Sequence, residues 1–364
     1  MLLHHELTNS DKQYINYLRG GLILRVVLMH LGLAWFYLPY SSYFGLFFPA
    51  LFGVSGIVSY YSYRRAGDVV HYVIKRIARI VITFYIISGG AYLILFIMNP
   101  QWVGLSEFLN WLLINPKSAD QPYPMGQIWF LRALILLTVI VLPFFYLSLR
   151  NINYLLVPVF ISLLVSLAQQ FGGVGSVFMV AIGDLNEINT YHPLVNMGYF
   201  CFCAWASYVG ILKRTSWMFC LVFVGALMAW AIFQHQNFSL NLADHSYFQD
   251  FFYLSLGYAG IGLLFGLRTP ITFVLEKVPA CGRMLLFFST HAFSIFMIHS
   301  LYIYLAEAVF DLRDMKSISE ILLKIIFVIL ASVLSAVPLS YLCKKITGVL
   351  IAKIDNRKKQ QVAI

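Results

Sequence analysis

Apolar residues run along this chain in blocks of about twenty, the length an α-helix needs to cross the hydrocarbon core of a bilayer. Ten such runs are read from the pattern, at about 15–38, 44–63, 79–98, 127–149, 152–169, 192–212, 217–235, 249–267, 284–306 and 321–343. Polar residues are confined to short connections between them, which leaves no stretch for a soluble domain. No helical repeat, heptad pattern or low-complexity tract interrupts the series. The expectation is an all-α polytopic membrane protein of about ten transmembrane helices.

Composition agrees with that reading. Of 364 residues, 60% are hydrophobic and 11% charged, with a mean hydropathy of +0.79. These values exclude a soluble domain of this size. The five cysteines fall in or beside apolar runs and have no metal-site spacing. They read as small hydrophobes, with no metal centre and no disulfide implied. The opening MLLHHELTNSDKQ is polar and lacks a basic region before a short apolar one, so the first run is expected to be a retained span rather than a signal peptide.

Charge adds an orientation. The net charge is +10. If the N-terminus is cytoplasmic, the inside loops collect Lys12, Arg64, Arg65, Lys75, Arg76, Arg79, Arg150, Lys213, Arg214, Arg268, Lys277, Arg283 and the basic tail. The outside loops keep Lys117, Arg313 and Lys316, with Lys324 at the start of the last span, and most of the acids. This alternation follows the positive-inside rule and predicts N-in, C-in topology. Basicity spread over short turns is a topological signal, so no nucleic-acid partner is expected.

Against this apolar background a few polar residues stand out. In YLRGGLILRVVLMHLG (17–32), ten residues separate Arg19 from His30. Eleven helical steps bring the two to nearly the same helix face, roughly 16 Å apart along the axis. Taken alone, Arg19 reads as a snorkelling anchor at the cytoplasmic mouth and His30 as a hydrogen-bonded core histidine. Together they align a charge at the membrane edge with an imidazole near mid-membrane, where ionisable groups are costly and usually functional. A neutral imidazole there can take a proton from a hydroxyl or act as nucleophile.

Arg76 and Arg79, in HYVIKRIARI just before the third run, share one helical face at i, i+3. Two guanidiniums so placed can clamp a phosphate or serve as topology anchors. FFPALFGVSGIVSYY (47–61) carries small residues, by default for helix packing. At the outer end of the fourth run, MGQIWFLRALILL (125–137) offers Trp129 as an interfacial anchor and Arg132 a turn deeper, where it needs a partner or a wet cavity. STHAFSIFMIHSLYIYLAE (289–307) carries His299 and, about 80° round the helix, Glu307 near the outer surface. Between runs three and four, Trp102, Trp111 and Tyr123 suit sugar stacking, or an interfacial re-entrant segment.

In that order the pieces resemble the acyltransferase-3 family of integral-membrane O-acyltransferases. R-x10-H is matched by Arg19 and His30, F-x-x-S-G by Phe52, Ser55 and Gly56, and R-x-x-R by Arg76 and Arg79. W-F-L is matched by Trp129, Phe130 and Leu131, and I-H-S by Ile298, His299 and Ser300. The resemblance implies transfer of acetyl from cytoplasmic acetyl-CoA to a hydroxyl of a cell-surface carbohydrate such as lipopolysaccharide O-antigen, across a bacterial inner membrane. Arg76 and Arg79 would bind coenzyme A phosphates, Arg19 would help to place the donor, and His30 would be the base or carry the acyl group. Trp129, Arg132, His299 and Glu307 are candidates for the acceptor side. Residues 1–349 would form the transmembrane domain and 350–364 a basic cytoplasmic tail, without the extracytoplasmic hydrolase-like domain of some family members. The competing readings are a transporter or flippase of a lipid-linked saccharide, and an acyltransferase using another donor such as succinyl-CoA. The first would show two similar halves with broken helices, and no such symmetry is visible.

Overall fold

A computed structural model describes residues 6–33, 40–98, 104–114, 128–172, 193–235, 241–242, 244–245, 249–312 and 317–362. Among the described residues every regular element is helical. The principal helices are α1 (Asn9–Leu28), α2 (Pro49–Ala66), α3 (Val69–Met98), α4 (Leu105–Leu112), α5 (Ile128–Ile140), α6 (Leu142–Ser148) and α7 (Val157–Gly172). They continue with α8 (Pro193–Tyr208), α9 (Thr215–His235), α10 (Phe251–Gly266), α11 (Arg268–Lys277), α12 (Pro279–Thr290), α13 (Ala292–Phe310) and α14 (Ile318–Val362).

Six described stretches are long and apolar enough to cross a membrane: Ser42–Ala66, Val69–Met98, Ile152–Phe171, Thr215–His235, Ala292–Phe310 and Ile318–Lys353. Two bent pairs raise the number to eight. Ile128–Ile140 with Leu142–Ser148 is bent by 44°, and Phe251–Gly266 with Arg268–Lys277 by 50°. Prolines account for both breaks, since Pro143 and Pro270 sit in the first turns of the second members. Two of the ten expected spans fall outside this number. The helix α1 carries Asp11, Lys12, Arg19 and Arg25, and α8 has only 16 residues. Among the described residues the chain is thus all-α and polytopic.

Three boundaries differ from the sequence reading. Val69–Met98 is one uninterrupted helix, so Arg76 and Arg79 lie within it rather than ahead of it. No proline or mid-helix glycine separates them from the apolar run. The expected span at 284–306 is two helices, α12 and α13, parted at His291, whose backbone (φ −106°, ψ 14°) leaves the helical region. The last helix continues without interruption from the apolar run to Val362.

The chain divides into two compact units. The first comprises residues 1–25, 32–67 and 136–290. Its centre is α2 packed on α8, with α7 against α8 and α9 along α10. Close approach depends on glycine. A Cβ at Gly56 would stand 2.0 Å from the Phe200 carbonyl oxygen, and one at Gly20 would stand 1.9 Å from that of Leu285. Gly56 thereby seats α2 on α8, and Gly20 seats α1 on α12. Thr8 and Asp11 form a capping box at the start of α1: the Asp11 amide donates to the Thr8 hydroxyl, and the Thr8 amide to the Asp11 carboxylate. That carboxylate also accepts Lys213 Nζ at 2.7 Å and Arg268 Nη1 at 2.8 Å.

The second unit comprises residues 26–31, 68–135 and 291–364. In it α3, α13 and α14 pack against one another, and Phe130 of α5 meets Phe296 of α13 with ring centroids 5.2 Å apart. The short α4 lies on α3 through Trp111, whose indole donates to the Ser88 hydroxyl at 2.7 Å among Phe84, Tyr85 and Tyr92. Only 22% of the apolar window of α14 is buried. Leu323, Ile326, Leu330 and Leu334 on it are exposed, a row of large apolar side chains that only lipid or another apolar surface can cover.

Candidate active site

The R-x10-H pair begins on α1 and ends just beyond it. After Leu28 the chain passes into a π-helical turn, Met29–Leu33, which contains His30. Such turns are rare and cluster at functional sites. The Arg19 end belongs to the first unit and His30 to the second.

At the Arg19 end, the Gly20 contact brings α1 onto α12 closely enough for Arg19 Nε to donate to the Ser289 hydroxyl at 2.9 Å. That hydroxyl in turn donates to Asn16 Oδ1 at 3.3 Å. Arg19 and Asn16 line a cavity of about 690 Å³ between α1 and α2. Ser289 and Asn16 escaped notice in the sequence, because a serine and an asparagine among apolar neighbours give no periodic signal.

In the second unit, His30 Nδ1 lies 2.8 Å from His299 Nε2. The two rings are tilted by only 22°. His30 is exposed, whereas His299 is wholly buried on α13. His299 Nδ1 lies 3.2 Å from the Ile295 carbonyl oxygen. A carbonyl only accepts, so His299 Nδ1 carries a proton and His299 Nε2 carries a lone pair. His30 Nδ1 must then be the donor across the pair, which leaves the lone pair of a neutral His30 on Nε2. Phe296 flanks His299 with centroids 6.1 Å apart, and Phe130 backs Phe296. The W-F-L residue that reaches this cluster is therefore Phe130. Trp129 and Arg132 are half-buried neighbours on α5.

Glu307 lies two turns beyond His299 and accepts Lys324 Nζ at 2.7 Å. Lys324 also donates to the Leu312 carbonyl oxygen at 3.1 Å and is 4% exposed. This ion pair ties α13 to α14. The sequence shows both charges but not their partnership, since they stand seventeen positions apart across a loop. Arg76 is half-buried and Arg79 exposed on one face of α3. Trp111 gives its indole N–H to Ser88, while Trp102 and Tyr123 lie outside the described residues.

A family model described as an acyltransferase domain matches residues 12–342. Searches of curated proteins and of solved structures yield no match.

Proposed function

Because the chain belongs to the acyltransferase-3 family, and is therefore a multi-pass membrane acyltransferase, we propose that it moves an acetyl group from cytoplasmic acetyl-CoA to a hydroxyl of a cell-surface carbohydrate. A lipopolysaccharide O-antigen in a bacterium with an inner membrane is the acceptor in this reading. Ten spans, with α1 and α8 added to the eight apolar ones, put both termini in the cytoplasm. The pattern of basic connections supports that orientation.

The observation that carries the reading is the His30–His299 pair. The chain of hydrogen bonds from Ile295 through His299 leaves His30 Nε2 with the lone pair on an exposed ring. As base, His30 Nε2 accepts the proton of the acceptor hydroxyl while its oxygen attacks the thioester carbonyl. The carbon–sulfur bond breaks, the acetyl group is joined to the sugar oxygen, and the imidazolium returns its proton to the departing coenzyme A thiolate. As nucleophile, the same nitrogen attacks the thioester carbonyl and expels coenzyme A thiolate; in a second step the acceptor hydroxyl displaces the imidazole from the acetyl group, its proton passing to the thiolate. Arg76 and Arg79 suit the donor phosphates, since both project from one face of α3. Arg19 holds the donor at the mouth of α1. Trp129, Arg132, His299 and Glu307 remain on the acceptor side of this scheme, with His299 and Glu307 also engaged by His30 and Lys324.

Labelled acetyl-CoA supplied to membranes tests the proposal. Label should appear on surface polysaccharide with the wild-type protein and vanish with His30→Ala, both proteins inserting equally. Transfer undiminished in His30→Ala would remove the histidine from the chemistry. Acid quenching during turnover separates the two roles of His30, because only the nucleophilic route leaves label on the protein.

A further inference from the structure

We infer that the cavity between α1 and α2 is a second phosphate site, built for a nucleotide end bearing more than one phosphate and distinct from the Arg76–Arg79 pair. The inference rests on the coenzyme A reading above and adds to its Arg19 three residues which that reading does not use, Lys12, Arg64 and Arg65.

The cavity measures about 690 Å³, within the range of about 300–1,000 Å³ typical of small-molecule sites. Among the described residues, Lys12, Arg19, Arg64 and Arg65 line it together with the carboxylate of Glu6. A concave, partly apolar wall lined by one sign of charge focuses its field on a polyanion.

The guanidiniums are held in place. Arg19 is fixed through Nε to Ser289 at 2.9 Å. Arg65 is fixed through Nε to the Tyr61 carbonyl oxygen at 3.2 Å. Each of these two anchors uses the inner nitrogen, so the terminal nitrogens can form the two-pronged contact that phosphate oxygens favour. Arg64 lies over the Tyr208 ring, 4.7 Å from its centroid. Among the other lining residues, Tyr61 and Val58 supply the aromatic and apolar surface that a purine or a thiol-bearing arm needs.

Sequence spacing builds the two walls. Lys12, Ile15, Asn16 and Arg19 recur on one face of α1, and Val58, Tyr61 and Arg65 on one face of α2. These arginines look like topology anchors in the sequence. Anchors at a membrane edge spread into headgroups, whereas here they converge on one cavity.

The test is calorimetric titration of the full chain in nanodiscs of phosphatidylcholine, where no anionic lipid competes. Adenosine 3′,5′-bisphosphate and AMP are the probes. The bisphosphate should bind at least tenfold more tightly than AMP. Arg64→Gln with Arg65→Gln should weaken the bisphosphate at least tenfold, while Arg64→Lys with Arg65→Lys should stay within a few fold. Val58→Trp, which leaves every charge in place but fills the cavity, should weaken it comparably. Wild-type binding in both the glutamine pair and Val58→Trp would overturn the inference. So would absence of bisphosphate binding in a wild type that transfers acetyl from acetyl-CoA. Tight bisphosphate binding lost in those variants, with no transfer from acetyl-CoA, would sustain the cavity and refute the donor reading instead.

Discussion

A buried histidine brings two polar ring nitrogens into an apolar helix interior, and His299 satisfies both. One nitrogen donates to the Ile295 carbonyl and the other meets His30. His299 therefore selects the tautomer of His30, as an outer partner does for a metal-bound histidine. Replacing it with leucine removes the acceptor and frees the His30 ring to turn or to change tautomer. His299→Leu should lower kcat by about 10–100-fold, the usual loss when an orienting partner is removed, with little change in KM for the donor. His299→Gln keeps an acceptor oxygen and should recover part of that loss. Equal activity in wild type and His299→Leu would show that His30 orients itself. At this scale the sequence indicated the two histidines and their depth. It did not indicate their contact, because a separation of 269 positions leaves no local pattern.

Elements were legible where the physics is local. Runs of about twenty apolar residues mark the spans, whereas the bends at Pro143 and Pro270 emerge only in the structure. The break at His291 has no such marker, since Ser289, Thr290 and His291 contain neither proline nor glycine. The start of α3 was obscured for the opposite reason, because charged residues at 75–79 lower hydropathy without interrupting a helix. Small residues carry consequences beyond packing. Gly20 lets α1 approach α12, and the neighbouring Arg19 thereby reaches Ser289. A methyl at position 20 or 56 meets backbone, which cannot swing aside as a flexible side chain can. Gly20→Ala and Gly56→Ala should each destabilise the protein by about 1–3 kcal/mol, the usual range for overpacking, as read by thermal unfolding in detergent. Gly20→Ala should also raise KM for the donor, which Gly56→Ala should leave nearer the wild-type value.

For the molecule as a whole, charge is doing two jobs that the sequence presents as one. Lys213 and Arg268 fit the cytoplasmic positive-inside pattern, yet both close on Asp11 and pin the start of α1 to two other segments of its unit. Burial alone would raise the Asp11 carboxyl, but hydrogen bonds from Lys213, Thr8 and Arg268 outweigh it and hold the group at about 2, below its ordinary 3.8. A carboxyl depressed by folding stabilises the native state above its unfolded pKa, and that contribution is lost as pH falls. Thermal stability should therefore be insensitive to this group from neutrality down to about pH 4 and decline from there toward pH 2. Asp11→Asn should lower stability at pH 7 and flatten the acid limb. An unchanged acid limb in that variant would assign it to other carboxylates.

The π turn at Met29–Leu33 makes the stretch from Val26 to His30 a ruler, graduated in single residues. Each graduation turns the helix by about 100°, so one residue inserted or deleted between Val26 and His30 swings His30 off His299. Substitutions among the intervening residues change texture, but a change of length changes phase. Length variants of this segment, more than composition variants, should separate a correctly inserted protein from a working one.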